Sequence, residues 1–311
     1  MPLFEISNKG LTIVEQANFD LEKHLQNLIE TNLETVFSCR FVATEFSTGT
    51  QHAGRIDTLA LSEDNNPVII EYKKNESSEL INQSLYYLSW INDHRGDFEI
   101  ATRKVLGNEV EIDWSDVRVI CLAPNYKKFD LHAVKVMGAN IELWKYRLFK
   151  NSSLYLEQVF QRSVSLSLED SIGKKNPVMV TAGKKAALTR ATGVYTFEQH
   201  IESKSTEVKE LVYELRDFIM NLDPAMEESP KKFYIAYKIS KNIVCMLVQK
   251  QCVVLYLKLN PKEFDMLPAF ARDVTNIGHY GTGDLEIILS SLKDIEAAKE
   301  FIELAYRKLG G

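Results

Sequence analysis

At 311 residues the chain is long enough for two domains that each bury a core, and a composition of 45% hydrophobic and 26% charged residues is that of an ordinary globular protein. A net charge of −6 excludes a protein that coats nucleic acid with a broadly basic surface. Four cysteines without a CxxC pair, no long uninterrupted apolar run and no basic-then-apolar leader together predict reduced core thiols and a cytoplasmic location.

Residues 18–37 place Phe19, Leu21, Leu25, Leu28, Ile29, Leu33, Val36 and Phe37 at helical spacing, with Asn18 as N-cap. Strand-like runs follow at 39–47, 54–62 and 67–74, and the polar stretch Ser62-Glu63-Asp64-Asn65-Asn66 predicts a hairpin turn between the last two. Ser77 or Ser78 caps a second helix, 78–94, with Leu80, Ile81, Leu85, Leu88 and Ile91 along one side. A strand is expected at 98–105, a buried strand at 117–123 ended by Pro124, a short helix at 129–137, and strands near 140–149 and 153–160. Helix, three strands, helix, strand, helix, strands describes an α/β (α+β) domain over 1–160, a mixed sheet with helices packed on it.

Between 161 and 194 the periodicity is lost, and Gly173-Lys174-Lys175-Asn176-Pro177 and Gly183-Lys184-Lys185 read as a basic exposed linker, either a solvated tether or an arm for nucleic acid. Residues 1–160 carry 16 Lys/Arg against 23 Asp/Glu, 161–195 carry 6 against 2, and 196–311 carry 15 against 18. A polyanion therefore has to be held locally, by a metal or a few placed basic groups. Over 195–311 a helix at 196–221, a Pro-containing loop, strands at 232–238, 242–249 and 252–259 and a helix at 294–308 predict a smaller α+β domain with an antiparallel sheet.

Side chains alternate along a strand, so Glu71 and Lys73 point one way and Tyr72 the other, and a paired hairpin sets Asp57 beside them. Two acids and an amine converging next to Val68-Ile69-Ile70 cost free energy unless something such as a divalent metal uses them. Phosphodiester hydrolysis needs a metal to polarise the phosphoryl group and activate water, and Mg²⁺ takes one or two carboxylates while keeping several waters. Asp57 and Glu71 supply the carboxylates, the Tyr72 backbone carbonyl a further ligand, and Lys73 a group to orient the nucleophile or stabilise charge. A same-face ion pair between Glu71 and Lys73 on an exposed strand is the ordinary alternative, disfavoured by the three β-branched residues before Glu71.

Gly54-Arg55-Ile56-Asp57 followed by Val68-Ile69-Ile70-Glu71-Tyr72-Lys73 resembles the PD-(D/E)xK nuclease superfamily, particularly its RecB-like branch, over about residues 18–123. The resemblance implies a restriction-endonuclease-like αβββαβ core and a Mg²⁺- or Mn²⁺-dependent endonuclease acting on DNA. It also implies catalytic roles for Asp57, Glu71 and Lys73. The branch adds a QxxxY pair on the helix after the third strand, which Gln83 and Tyr87 match, and one helical turn puts them on one face. It further implies a metal-site glutamate on the first helix, Glu22 or secondly Glu30, and phosphate contacts from Arg55 and Lys74. The proline that names the superfamily is replaced by Ile56. Gln83 and Tyr87 as packing residues, Glu22 as a solvated acid, and a catalytically inactive nucleic-acid-binding or assembly module stay open beside this reading.

In the second domain, Gly278-His279-Tyr280-Gly281-Thr282-Gly283-Asp284 permits close approach of an anion or a base, with His279 and Asp284 as polar contacts. A turn between a helix and a strand is the plainer reading. Lys231, Lys232, Tyr234, Tyr237 and Lys238 interleave basic and aromatic groups as a single-stranded platform would, and strand alternation explains them equally. With Tyr195-Thr196-Phe197-Glu198-Gln199-His200, these stretches resemble the DUF5655 group, an uncharacterised bacterial domain found behind nuclease-like domains. That resemblance implies a module for substrate or partner-protein recognition, and a homodimer stays open.

Overall fold

The computed structural model describes residues 2–8, 10–49, 54–75, 79–137, 140–160 and 195–309; the linker expected over 161–194 and the caps expected at Ser77 or Ser78 lie outside these residues. The chain divides into two compact units, 1–193 and 194–311.

In the first unit β1 (Leu3–Ser7) and β2 (Gly10–Val14) form a separate two-stranded sheet that periodicity did not reveal. The short strand β3 (Gln16–Ala17) follows. The expected single helix is two, α1 (Glu22–Glu30) and α2 (Leu33–Phe37). Thr31 Oγ1 and Asn32 Nδ2 donate back to the carbonyls of Asn27 and Leu28 at 2.9 and 2.8 Å, ending α1 there. The N-cap is Leu21, not Asn18, and it contributes no side-chain bond. Ser38, with φ of 51°, turns the chain into β4 (Cys39–Ser47).

Strands β5 (Arg55–Ser62) and β6 (Pro67–Tyr72) form the predicted hairpin. Its turn is set by Asn65 at φ 63° and by the Ser62 hydroxyl accepting the Asn66 N–H at 3.0 Å. Helices α3 (Glu79–Asp93) and α4 (Arg95–Leu106) come next. The second corrects the strand expected at 98–105. Phe98 and Thr102, one helical turn apart, are buried while Ile100 is 69% exposed, so the burial period is helical and not two. Then follow β7 (Arg118–Ala123), α5 (Lys128–Met137), β8 (Ile141–Phe149) and β9 (Leu154–Phe160).

The sheet runs β3-β8-β7-β6-β5-β4, with β9 also on β8; β6, β7 and β8 are mutually parallel and the other pairs antiparallel. Leu25, Ile29 and Phe37 of α1 and α2 pack on one face with Val68, Ile70 and Tyr72. Leu80, Leu88 and Ile91 of α3 pack on the other with Ile69, Val119 and Cys121. Each helix thus buries the apolar stripe its sequence spacing announced.

In the second unit the helix expected over 196–221 is broken into α6 (Phe197–Ile201) and α7 (Thr206–Met220), each with a hydroxyl cap, Thr196 and Ser205. Strands β10 (Glu227–Pro230), β11 (Ile235–Lys238), β12 (Asn242–Val248), β13 (Val253–Leu257), β14 (Ala271–Asp273) and β15 (Leu285–Leu289) form an antiparallel sheet in the order β10-β11-β12-β13-β15-β14. Helices α6, α7 and α8 (Ile295–Lys308) cover one face. The other carries a smaller cluster of Cys245, Val254, Tyr256 and Val274. Among the described residues no helix is long and apolar enough to cross a membrane. Cys39, Cys121 and Cys245 are buried free thiols.

One buried ion pair ties β7 to β8. Arg118 Nε donates to Glu142 Oε1 at 2.7 Å, and Trp144 Nε1 donates to Glu142 Oε2 at 3.0 Å. Arg118→Met alone strands the Glu142 charge and is expected to cost about 3–5 kcal/mol. The double variant Arg118→Met/Glu142→Gln, which keeps an acceptor for Trp144, should recover most of that loss in urea unfolding. Equal loss in single and double variants would contradict this account.

Candidate active site

The antiparallel ladder between β5 and β6 stops at Thr58↔Ile70. Beyond it β5 stays with β4 through Ser47↔Arg55, and β6 stays with β7 through Tyr72↔Leu122. The two strands therefore fork, and Asp57 and Glu71 occupy the fork. Their carboxylates replace ladder partners: Asp57 N–H donates to Glu71 Oε1, and Tyr72 N–H donates to Asp57 Oδ2, both at 3.1 Å. Tyr72 presents its carbonyl on the same strand edge as this N–H.

Glu71 has no solvent exposure, and its other oxygen, Oε2, has no hydrogen-bond partner among the described residues. Burial first, and then the charge of Asp57, hold Glu71 well above the usual carboxylate range. Burial also raises Asp57, with the Tyr72 N–H and Lys73 pulling down and Glu22 and Glu45 adding to the rise. Two carboxyl groups that both resist ionisation, one with an unsatisfied buried oxygen, thus share the fork. Among the described residues no group of three or more His, Cys, Asp or Glu side chains is placed to hold a metal.

Glu22, expected as a metal ligand, is instead bound to the lysines. Its Oε1 lies 3.4 Å from Lys73 Nζ and its Oε2 accepts the Lys74 N–H at 2.7 Å. Helix α1 reaches the fork by another residue, Gln26, which is buried. Gln26 Nε2 donates to the Asp57 carbonyl at 2.8 Å, to Glu30 Oε1 at 3.0 Å and to Thr44 Oγ1 at 3.2 Å. Thr58 Oγ1 donates to the same Glu30 oxygen at 2.7 Å, so Glu30 anchors this network. The signal for Gln26 was present: Glu22, Gln26 and Glu30 are four apart, a polar row alongside Leu25 and Ile29.

Helix α3 braces the fork from the opposite face. Tyr87, buried, accepts the Arg55 N–H at 3.1 Å and donates to the Arg55 carbonyl at 2.8 Å, and Gln83 Nε2 donates to the same hydroxyl at 3.2 Å. The pair holds backbone and does not reach the carboxylates directly. Gly54 is fixed by this contact, since a Cβ there would lie 2.8 Å from the Tyr87 ring. Arg55 itself is exposed and pairs with Glu45 at 2.5 Å; Glu45 also binds Lys23 at 2.8 Å, and Lys23 is the main cause of its lowered pKa. Glu45 sits in β4 at φ 50°, in the step between Thr44↔Thr58 and Phe46↔Ile56. Lys74 is exposed, its ammonium on the Asp20 carbonyl.

In the second unit His279 and Asp284 are not a helix-to-strand turn but part of the connection from β14 to β15. His279 stacks on Tyr256 with centroids 4.2 Å apart and donates Nδ1–H to the Ile277 carbonyl at 2.8 Å, whereas Asp284 is exposed and its carbonyl accepts the Val274 N–H at 2.9 Å. The glycines answer to packing. Gly281 and Gly283 have φ of 94° and 135°, and a Cβ would meet Cys245 Cβ at 2.7 Å and the Leu257 backbone at 2.5 Å. Of the interleaved basic and aromatic residues, Lys231 and Tyr237 are buried and cannot form a platform.

Comparison with known proteins adds a full-length relative and a domain assignment. An uncharacterized protein of Haemophilus influenzae (strain Rd) is 29% identical over 311 residues, covering 99% of this chain and all of the relative. Among solved structures, an EndoMS–double-stranded DNA complex and a repair endonuclease from Pyrococcus abyssi share 20% and 18% identity. Both align over 42% of this chain, on 47% and 49% of their own lengths, with a TM-score of 0.26, which does not establish a shared fold. Residues 197–308 match the profile of a domain of unknown function, so the second unit is a DUF5655 domain.

Proposed function

We propose that the first unit is a metal-dependent nuclease hydrolysing DNA phosphodiester bonds, with the forked strands as its active site. The observation that carries this reading is the buried, unpartnered Glu71 Oε2 beside a second carboxylate whose pKa is also raised. A divalent cation fits that donor set: Asp57 and Glu71 would hold it, the Tyr72 carbonyl lies on the same edge, and only two carboxylates suit Mg²⁺ or Mn²⁺ better than a closed zinc site. When bound, the metal supplies Lewis acidity to the phosphoryl oxygen and lowers the pKa of a water.

The chain's own residues do the rest. Lys73, one residue past β6 and about a quarter exposed, would orient an attacking water or stabilise a phosphoryl oxygen, and Glu22 lies 3.4 Å from its ammonium. Gln26 and Tyr87 hold the Asp57 carbonyl and the Arg55 backbone from opposite faces, which keeps the fork open. The alternative is a module that keeps the skeleton and binds without cutting. Calorimetry with Mn²⁺ discriminates: no binding, and no effect of Glu71→Gln, would favour the inactive reading.

Cleavage of at least one DNA form, from a panel of duplex, single-stranded, branched and mismatched substrates, is expected with Mg²⁺ or Mn²⁺. Asp57→Ala and Lys73→Ala should each lower it by about 10²-fold or more. A panel left uncut with either metal removes the catalytic claim.

A pH dependence follows from Glu71. Its folded pKa lies above its unfolded value, so the folded metal-free protein binds the extra proton. The destabilisation is therefore absent below the ordinary carboxylate pKa of about 4.3 and grows as pH rises toward the raised value. In EDTA, Glu71→Gln should melt higher than wild type by a margin that widens as pH rises above about 5 and closes when Mn²⁺ is added to the wild type. A margin independent of pH would show that Glu71 is compensated in the metal-free fold.

A further inference from the structure

The hairpin of β10 and β11 closes with the Lys231 N–H on the Tyr234 carbonyl at 2.7 Å, leaving Lys232 and Phe233 as a two-residue connection. Such connections favour glycine, asparagine and aspartate, which suit the tight backbone and face water. This one displays a phenylalanine that is 41% exposed. Its ring is stacked on Tyr280, centroids 4.2 Å apart and planes 28° apart, and Tyr280 is itself 53% exposed. Lys232 Nζ lies 4.9 Å from the centre of the Phe233 ring.

The loop that carries Tyr280 is held firmly. Gly281 and Gly283 leave no room for a Cβ against Cys245 and Leu257, the Thr282 N–H donates to Cys245 Sγ at 3.3 Å, and the preceding His279 is stacked on Tyr256. Two loops from different parts of the sheet therefore present a preformed aromatic stack with a cation beside it, at a place where core packing requires neither ring.

We propose that Phe233 and Tyr280, with Lys232, form a stacking site for unpaired nucleobases of a DNA strand. A base offers the same flat π surface as the rings already stacked there, and the ammonium is suited to the adjoining phosphate. Duplex DNA hides its base faces and is gripped through many backbone charges, which a segment with 15 Lys/Arg against 18 Asp/Glu does not provide. The choice of DNA as the polymer rests on the nuclease reading; the stacking geometry does not.

The test uses the full-length protein in EDTA, so that cleavage plays no part, and a short single strand carrying 2-aminopurine, whose fluorescence is quenched when its base stacks on an aromatic ring. Binding with quenching is expected. Tyr280→Ala and Tyr280→Leu should each weaken it about 10-fold or more, whereas Tyr280→Trp and Tyr280→Phe should retain both affinity and quenching. Lys232→Ala should lower the salt dependence by about one counterion. Phe233→Ala is the second arm, with melting curves confirming that each variant is folded. No binding of the single strand, equal affinity for a matched duplex, or full quenching in Tyr280→Leu would overturn the proposal. Binding through these rings by a protein that cuts nothing would overturn the nuclease reading alone, and metal-dependent cutting without single-strand binding would overturn the stacking site alone.

Discussion

The fork between β5 and β6 rests on a reciprocal bond: Asp57 N–H to Glu71 Oε1, and Tyr72 N–H to Asp57 Oδ2. Where a sheet splits, its free backbone groups must find partners or water. Here they find carboxylates, so one oxygen of each acid is spent on structure and Glu71 Oε2 is left over. Holding an anionic pair this way is unfavourable without a cation, as the raised pKa values of both groups express. On the proposed reading the same cost would make a metal's arrival stabilising, since binding to the folded state alone adds to stability.

What surrounds the fork explains how much of it was legible in the sequence. Asp57, Glu71 and Lys73 could be placed because period-two alternation and an Asn-rich turn fix the hairpin register, and Asn65 takes the left-handed conformation such a turn needs. Gln83 and Tyr87 were singled out by the resemblance and set on one face by helical spacing, but their target was not legible, because a side chain bonded to backbone leaves no mark in the partner's residue type. Glu22 lies against Lys73 and the Lys74 N–H for a related reason. Spacing along α1 places it, Gln26 and Glu30 on one side, yet which of them meets the fork depends on the start of the helix, and that start lies at Leu21 without a side-chain cap. Gln26, the one that reaches the Asp57 carbonyl, is the least conspicuous of the three.

In the second unit the helices and central strands were legible and the loop chemistry was not. The three glycines between residues 278 and 283 invited an anion-binding reading, whereas Gly281 and Gly283 exist to let the loop lie against Cys245 and Leu257. Of the interleaved tyrosines and lysines, strand alternation accounts for Tyr237, which is core in β11, while Lys232 and Phe233 fall in the turn before that strand begins at Ile235. A frame shift of a few residues in a strand boundary exchanged a buried ring for an exposed one.

The acidic balance constrains how either unit can meet a polyanion. Residues 1–160 hold seven more acids than bases, 23 against 16, so a DNA strand meets net repulsion within the Debye length of about 8 Å at physiological salt. On the proposed reading, attraction would come from a cation held by Asp57 and Glu71, which would reverse the sign of the field only locally. Recognition elsewhere on such a surface gains little from further charge and more from contacts indifferent to it. Stacking is such a contact, because the face of a base carries no formal charge and its burial on a ring is driven by surface removed from water. If both proposals hold, an acidic protein that handles a polyanion makes few phosphate contacts, with the metal site governing charge and the aromatic surface governing which strand is held.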